Sequence, residues 1–598
     1  MTPTYVSPAL QSAIQQNSKQ TFNVILQGEL RGKARGILTQ ILGDQSGPGG
    51  PGANKTKPAD IKKDYSSIDG VKATLTGQQI LQLVRDNSVT SITSADEPVA
   101  VTGPAPAPGP AADGTTYTNK QMWPLAVAAP VDWTKATPTA PTIAIVDSGV
   151  DATRSDFAGH FLGQVNLSSL TPNATGDGYG HGTFVAGIAA GSASGYAGAA
   201  PTANILSIRV MDNNGMTTVG DVITACDWIL AHKAEYNIRV VNLSLHATVP
   251  ASILFDPLDQ AVESLWLNGV VVVAAAGNYG TGNTPSGVPF APGNDPFVIT
   301  VGAADIGKTV GGGDDSVAPW SAWGYTLDGF RKPEIGAPGR YMIGPVPKTS
   351  GLYTQRPANV VASGYMELSG TSFAAPVVAG AAAMLLAGHP NWTPDQVKGV
   401  LMLTATPEPQ VRLGQLGVGD VQIQRARTAK PNTFPNPNAG LEQFVTTAVD
   451  GTPVFDSVAW QTAAWSSAAW SSAAWSSAAW SSAAWSSAAW SSAAWSSAAW
   501  SSAAYGTAAW SSAAWSSAAW SDAAVSDGAH GDPILDPAAT EVSLDFETDA
   551  LALLGITSDD CDPTISVCDL TSTTSPDATS TTSSDTSTTS SDSSTTSP

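Results

Sequence analysis

The chain has 598 residues, 42% of them hydrophobic, and a formal net charge of −22. This length has room for several domains, and the apolar content suffices for at least one large core. Residues 431–598 contain 18 Asp and Glu side chains and no Lys or Arg, so most of the negative charge lies there. Because no basic face is expected, the composition argues against nucleic acids and anionic membrane surfaces as partners.

The number of cysteines argues against a disulfide-scaffold protein, and the lengths of the apolar runs argue against a membrane-spanning protein. Three cysteines are too few for a disulfide scaffold. Cys226 lies in an apolar helical pattern and is predicted to be buried, whereas Cys561 and Cys568 can close one small disulfide loop. Residues 1–20 show no signal-peptide pattern. No uninterrupted apolar run approaches the roughly 20 residues that cross a bilayer, so no membrane span is predicted.

Residues 1–102 are predicted to form a small α+β domain. The predicted strands lie at 21–26, 70–75 and 89–92, and the predicted helices at 32–42 and 77–84. A Gly/Pro/Lys-rich insert at 47–63 is predicted to be a loop. A Pro/Ala-rich linker at 103–119 then separates this domain from the rest of the chain.

Residues 120–432 are predicted to form a doubly wound α/β domain with a mostly parallel sheet. Nearly continuous apolar runs, the predicted strands, lie at 142–146, 205–210, 240–244, 270–274 and 298–301. Helical patterns between them lie at 181–190, 220–234 and 256–267. Strands that are apolar on both faces indicate a parallel sheet covered by helices. In such sheets, chemistry takes place outside the C-terminal ends of the strands.

Three polar residues in this domain are candidates for catalysis. Asp147 ends a predicted strand, His181 opens the following helix, and Ser372 lies between a Gly-Thr pair and an apolar run. Each of them alone also fits a turn or a helix cap. Together they supply an orienting acid, a base and a nucleophile in the chain order Asp, His, Ser, which is one order known for this type of catalysis.

The motifs around these residues resemble the three signature blocks of the subtilisin-like serine peptidases. The blocks are Asp147-Ser148-Gly149, His181-Gly182-Thr183 and Gly370-Thr371-Ser372-Phe373-Ala374-Ala375-Pro376. The resemblance implies that Asp147 orients His181, that His181 takes and returns the Ser372 proton, and that Ser372 forms an acyl-enzyme. Asn278 resembles the asparagine that donates to the oxyanion, although a left-handed turn residue after glycine is the alternative.

The resemblance also implies two backbone edges that pair with an extended peptide substrate. The expected edge residues are Gly215, Met216, Thr217, Ser244, Leu245 and His246. His246 stands where the family usually has glycine, and Phe290 stands near the expected pocket base, where small residues are common. We therefore expect a shallow apolar specificity pocket.

Residues 1–102 are similar in pattern to the inhibitory propeptide of this family. A propeptide would assist folding and block the cleft until self-cleavage in the region 100–120; an unrelated small domain is the alternative. No acidic loop has the spacing of a metal site, so no metal ligand is assigned. Calcium is expected only through the resemblance.

From Trp460 the sequence Trp-Ser-Ser-Ala-Ala recurs through residues 459–525, after a predicted linker at 433–458. A five-residue period fits neither a strand face nor a helix face, which leaves a β-solenoid or a disordered segment. The Trp row is either a platform for carbohydrate or cell-surface polymer, or a spacer. Residues 526–598 are predicted to be an acidic Ser/Thr-rich tail.

Two functional hypotheses follow from these patterns. The first is a serine endopeptidase, made as a self-processed zymogen, monomeric, and secreted or at the cell surface. The second is a catalytically silent peptidase fold that binds surfaces through its Trp repeats. The complete set of Asp147, His181, Ser372 and Asn278 favours the first, because a silent protein has no chemical need for all four.

Overall fold

The computed structural model describes residues 4–28, 33–42, 60–86, 89–100, 121–129 and 140–466, apart from 174, 283, 308–309, 311–313, 409–410, 413, 432–433 and 449–450. The predictions for the linker at 103–119, for the repeat beyond residue 466, for the acidic tail and for the Cys561–Cys568 loop lie outside the described residues.

The leading residues form a small α+β unit with its own apolar core. Its strands are β1 (Tyr5–Val6), β2 (Thr21–Gln27), β3 (Asp60–Asp64), β4 (Gly70–Thr76) and β5 (Ser91–Ser94), and its helices are α1 (Pro8–Gln16), α2 (Lys33–Leu42) and α3 (Gly77–Asp86). The strands make one sheet in the order β1-β5-β2-β4-β3. Apolar side chains such as Leu26, Leu75 and Ile80 are fully buried between the sheet and the helices.

Part of the insert predicted as a loop is instead strand β3, which overlaps residues 47–63. Its sequence, Asp-Ile-Lys-Lys-Asp, is polar and half exposed because β3 lies at the edge of the sheet. An edge strand with charged side chains carries little apolar signal, so the pattern missed it.

Beyond the leading unit, most of the chain builds a larger α/β domain. Its strands are β6 (Pro98–Ala100), β7 (Thr142–Asp147), β8 (Phe161–Asn166), β9 (Asn204–Arg209), β10 (Thr217–Thr218), β11 (Ile238–Leu243), β12 (His246–Ala247), β13 (Val271–Ala275), β14 (Ile299–Asp305), β15 (Ser316–Val317), β16 (Gly324–Tyr325), β17 (Arg331–Lys332), β18 (Ile335–Pro338), β19 (Met342–Pro345), β20 (Val360–Ala362), β21 (Tyr365–Leu368), β22 (Val445–Thr447) and β23 (Pro453–Phe455). Its helices are α4 (Trp123–Ala126), α5 (His181–Ala190), α6 (Val219–His232), α7 (Pro257–Leu267), α8 (Gly351–Gln355), α9 (Thr371–Gly388), α10 (Pro394–Thr404), α11 (Ile423–Thr428), α12 (Ala439–Glu442) and α13 (Ser457–Ser466).

The central sheet has eight strands in the order β15-β14-β13-β11-β7-β9-β8, with β18 also paired to β14. All of these pairings are parallel except that of β14 with β15. Strands β7 and β13 are buried along their whole length and β11 at every residue except Arg239, which confirms the parallel α/β class predicted from their continuous apolar runs. Cys226 is a free, buried cysteine in α6, as its apolar pattern indicates.

Helix α9 runs through the centre of the domain against β11, β13, β14 and α5. It has 18 residues with a mean hydropathy of 1.6, enough by length and composition to cross a membrane, but 89% of it is buried inside the protein. Alanine and glycine dominate its sequence, so neighbouring elements approach closely. Its apolar character is that of a core helix.

The described part of residues 434–466 packs against the α/β domain, in the range where a linker was predicted. Leu441, Phe455 and Trp460 are all at most 5% exposed. The ring of Trp460 stacks on Phe330 with centroids 5.1 Å apart, and Phe455 lies edge-on to Phe297 at 5.0 Å. The first tryptophan of the repeat is thus a core residue.

Candidate active site

Asp147 and His181 form a buried pair at the C-terminal edge of the central sheet. Asp147 is the last residue of β7, and His181 is the first residue of α5. The His181 Nδ1 atom lies 2.8 Å from Asp147 Oδ1 and 3.0 Å from Oδ2. The Ser148 N–H also donates to Asp147 Oδ1, at 2.7 Å. A carboxylate that accepts from Nδ1–H leaves Nε2 of the neutral ring as a proton acceptor.

The second ring nitrogen of His181 is available for chemistry. Nε2 is buried and has no hydrogen-bond partner within the described part of the chain. Since a buried polar atom without a partner costs free energy, such an atom in a cleft points to a bound or reacting group.

Asp177 holds the Asp147 loop and the α5 terminus together, and the sequence analysis did not single it out. Its Oδ1 accepts hydrogen bonds from the Gly180 N–H (2.7 Å) and the Ser148 hydroxyl (2.8 Å). Its Oδ2 accepts from the Thr183 N–H (2.8 Å) and hydroxyl (2.6 Å). Burial raises the pKa of this carboxyl, while these donors act in the opposite direction. An aspartate four residues before His181, at a helix start, was the available signal.

Ser372 lies in the first turn of α9, fully buried in the described structure. Its hydroxyl donates to the Ser244 carbonyl at 3.3 Å. The next side chain, Phe373, has its ring centroid 5.4 Å from that of His181. The starts of α5 and α9 therefore meet, and His181 and Phe373 come into contact although they are 192 positions apart in the sequence.

Asn278 lies in the turn after β13 and faces the start of α9. Its side-chain Oδ1 accepts from the Thr371 N–H at 2.8 Å and from the Thr371 hydroxyl at 2.9 Å. Its Nδ2 is buried and has no partner among the described residues. The left-handed turn residue is Gly277, with φ of 105°, and not Asn278. The hydrogen bonds to Oδ1 therefore fix the orientation of the Asn278 side-chain amide, and its Nδ2 group takes no part in them.

The two predicted substrate edges flank a strand of the chain itself. Strand β6 lies between β10 and β12 in a three-stranded sheet and is antiparallel to both. In this register Val99 is opposite Thr217, and Ala100 is opposite His246. The Thr248 hydroxyl also donates to the Pro98 carbonyl at 3.0 Å.

The remaining predicted edge residues lie beside these strands. Gly215 and Met216 form the turn before β10, where the Asp212 N–H donates to the Met216 carbonyl at 2.9 Å. Ser244 and Leu245 connect β11 to β12, and both are buried.

His246 and Phe290 belong to a three-ring cluster with Tyr279. The His246 and Phe290 rings are stacked with centroids 5.2 Å apart, and Tyr279 lies edge-on to them at 5.7 Å and 5.0 Å. His246 Nδ1 lies 2.7 Å from the Ala247 carbonyl, and burial lowers the pKa of the ring. The cluster is therefore uncharged and apolar on its faces.

Comparisons with known proteins agree with this geometry. The model of the subtilase family matches residues 139–432. The chain is 34% identical over 269 residues to the serine protease AprX of Bacillus subtilis, covering 44% of this chain and 60% of AprX. It is 36% identical over 274 residues to thermitase of Thermoactinomyces vulgaris, covering 45% of this chain and 83% of thermitase.

A solved structure shows the same fold. The crystal structure of fervidolysin from Fervidobacterium pennivorans, a keratinolytic enzyme related to subtilisin, superposes with a TM-score of 0.54 at 23% identity. That alignment covers 70% of this chain and 62% of the fervidolysin chain. The α/β domain is subtilisin-like. The chain belongs to the subtilase family, a family of serine peptidases.

Proposed function

We propose that the protein is a serine endopeptidase in which Asp147, His181 and Ser372 act as a catalytic triad. The Ser372 hydroxyl attacks the substrate carbonyl while its proton passes to His181 Nε2. Asp147 stabilises the resulting imidazolium, which then protonates the leaving amine. Water releases the acyl group from Ser372 by the same proton transfers in reverse. The observation that carries this proposal is the buried His181 ring, which Asp147 holds through Nδ1 and whose Nε2 has no partner among the described residues.

The Asn278 amide is the proposed donor to the oxyanion, alongside the Ser372 backbone N–H. The support is its unpartnered Nδ2, combined with an Oδ1 that Thr371 holds in place. A donor that is oriented before the reaction stabilises negative charge without reorganisation cost. The start of α9 adds the positive end of an 18-residue helix dipole to the same region.

A fluorophosphonate probe tests the triad directly. We expect covalent labelling of Ser372, identified by peptide mass spectrometry. The Ser372→Ala variant is the matched control and should show no labelling. An unlabelled wild-type protein from which the leading residues have been removed would contradict the proposal, because in that form the cleft is no longer covered.

The leading unit is the proposed inhibitory propeptide of a zymogen. Support comes from β6, which belongs to the predicted propeptide residues 1–102 and pairs with β10 and β12, where an extended substrate would pair. Further contacts hold the unit on the α/β domain: Asp227 Oδ1 accepts from the Ser67 N–H and hydroxyl, both at 2.7 Å. Tyr5 stacks on Phe255 with ring centroids 4.5 Å apart.

Intact-mass measurement distinguishes a zymogen from a permanent domain. Wild-type protein should lose about a hundred residues through cleavage in the region 100–120, whereas Ser372→Ala should keep Met1. A mature, active wild-type protein that still carries Met1 would contradict self-processing. Secretion or surface location belongs to the same proposal, since a zymogen delays activity until after synthesis.

The specificity pocket is proposed to accept apolar residues. The stacked rings of His246 and Phe290 offer no negative charge, and two rings at the base of a pocket would make it shallow. Cleavage of a peptide library should show apolar residues before the broken bond. A preference for Lys or Arg there would contradict this proposal without affecting the triad.

A further inference from the structure

Three carboxylates from separate parts of the chain meet away from the triad. Asp315 precedes β15, Glu408 follows α10, and Asp420 lies in a bridge beside β18. One oxygen of each lies within 4.8 Å of the others. The three residues are 5%, 8% and 4% exposed, so the cluster is almost completely enclosed.

The backbone fixes Asp420 in place. Its N–H and its carbonyl both pair with Thr406, at 2.8 Å each, and the neighbouring Gly419 carbonyl accepts from the Gly336 N–H. A Cβ atom on Gly336 would lie 2.4 Å from Asp420 Oδ1, so a side chain there would collide with the carboxylate. The backbone of Asp420 is thus held by pairing on both sides, and the glycine at position 336 leaves space for its Oδ1 atom.

Three carboxylate oxygens of the cluster have no hydrogen-bond partner among the described residues. Both oxygens of Asp420 and Oδ1 of Asp315 are buried and accept no hydrogen bond from any described residue. A buried ionised carboxylate without a partner is strongly destabilising, so such groups are normally paired or coordinate a metal.

No positive charge compensates the cluster in the described structure. Among the described residues, no Lys, Arg or His forms an ion pair with Asp315, Glu408 or Asp420.

Elsewhere in the same domain, a buried carboxylate receives its counter-charge from the chain. Glu334 Oε1 lies 2.7 Å from Lys332 Nζ and 3.1 Å from Lys398 Nζ, and all three side chains are at most 5% exposed. The fold therefore satisfies a comparable buried acid with lysines. The Asp315, Glu408 and Asp420 cluster differs in having acceptors only.

We propose that Asp315, Glu408 and Asp420 form a calcium site. Carboxylate oxygens are the preferred ligands of hard divalent cations. Ca²⁺ accepts several protein carboxylates in a flexible shell, whereas Mg²⁺ usually keeps several waters and is bound through one or two carboxylates. The three carboxylates supply at least three ligands, and second carboxylate oxygens and water complete the shell. The bound ion would tie β15 and the segment after α10 to the centre of the domain.

Calorimetric titration of the full chain tests this site. Ser372→Ala protein, stripped with EDTA and dialysed, should bind one more equivalent of Ca²⁺ than the same protein carrying Asp420→Asn. Asp315→Asn should remove the same equivalent. The matched control is Asp395→Asn, because that carboxylate already accepts from Trp266 and Asn438 and should leave the Ca²⁺ stoichiometry unchanged. Equal stoichiometry in parent and Asp420→Asn proteins would overturn the proposal.

Thermal unfolding keeps the test valid if a substitution disturbs folding. In EDTA, Asp420→Asn should unfold at or above the parent Tm, because it removes a buried charge. At Ca²⁺ 100-fold above Kd, the parent Tm should rise by about 4 °C more than that of the variant. The same Ca²⁺-induced rise in both proteins would overturn the site. Mg²⁺ should bind more weakly at this site, and equal affinity would overturn the assignment to calcium.

Discussion

The Ser244 hydroxyl donates a 2.6 Å hydrogen bond to the carbonyl oxygen of Ser372. Pro376 stands four residues after Ser372 inside α9 and has no N–H, so that carbonyl has no donor within the helix. Asn242 in turn donates to the Ser244 hydroxyl through Nδ2, at 2.8 Å. The residue that follows strand β11 thus supplies the hydrogen bond that the proline removes, directly at the proposed nucleophile.

Removing this donor should lower both catalysis and stability. In Ser244→Ala the Ser372 carbonyl loses its partner, which costs about 1–3 kcal/mol of stability and loosens the first turn of α9. We expect kcat on a chromogenic peptide to fall about tenfold. Ser321→Ala is the matched control: this buried hydroxyl accepts from the Ala303 N–H at 2.9 Å and should affect only the unfolding free energy. Equal kcat in the two variants would show that the Ser244 bond is merely structural.

Replacing Asn278 should lower kcat while leaving KM nearly unchanged. Asn278→Ala removes the unpartnered Nδ2, which matters only when the oxyanion forms. The expected loss in kcat is about 10²–10³, a magnitude known for the corresponding donor in subtilisin rather than derived from this structure. Thr371→Ser keeps the hydroxyl that orients the amide, so its kcat should stay close to wild type. Steady-state kinetics of the two variants distinguishes the loss of the Asn278 donor from a change in Thr371, the residue that orients it.

Docking of the leading unit should weaken as the pH rises. Burial raises the pKa of Glu97 from 4.5 to about 8, and the adjacent Asp256 carboxyl adds to the shift. Because Glu97 is protonated in the docked state and ionised in the free state between about pH 4.5 and 8, docking takes up a proton in this range. The affinity of docking should therefore fall by up to about tenfold for each increase of one pH unit. Above pH 8 the effect should level off.

Trypsin removal of the leading unit from Ser372→Ala protein measures this effect. The cleavage rate, corrected for trypsin activity on a small substrate at each pH, should increase from pH 5 to pH 8. Glu97→Gln cannot ionise and should give a flatter profile. Parallel profiles for the two proteins would exclude Glu97 as the responsible group.

The first tryptophan of the repeat should contribute strongly to the stability of the domain. Trp460 is 5% exposed and stacks on Phe330, so Trp460→Ala should cost about 3 kcal/mol in the free energy of unfolding. Val458 is on the same helix and 45% exposed, so Val458→Ala should change the stability by less than about 0.5 kcal/mol. Urea unfolding of both variants in the Ser372→Ala background provides the comparison.

The α/β class and the positions of Asp147, His181 and Ser372 were predictable because their signals are local. Buried parallel strands are continuous apolar runs, and the motif residues follow directly at a strand end or a helix start. Parallel topology then places strand ends at one edge of the sheet. That step does not require knowledge of which distant residues contact one another.

The contacts that support this site depend on pairings across long stretches of chain. Ser244 and Ser372 are 128 positions apart, and the proposed calcium ligands Asp315 and Asp420 are brought together only by the return of the chain to β18. The sequence assigned no metal ligand because the spacing of acidic residues along the chain cannot reveal a cluster of this kind. Trp460 likewise looked like one repeat unit among many until its packing showed it to be a core residue. Periodicity and motifs indicate how each segment folds. Burial and proximity arise only when the segments pack on one another, and this packing decides which polar groups are left without a partner.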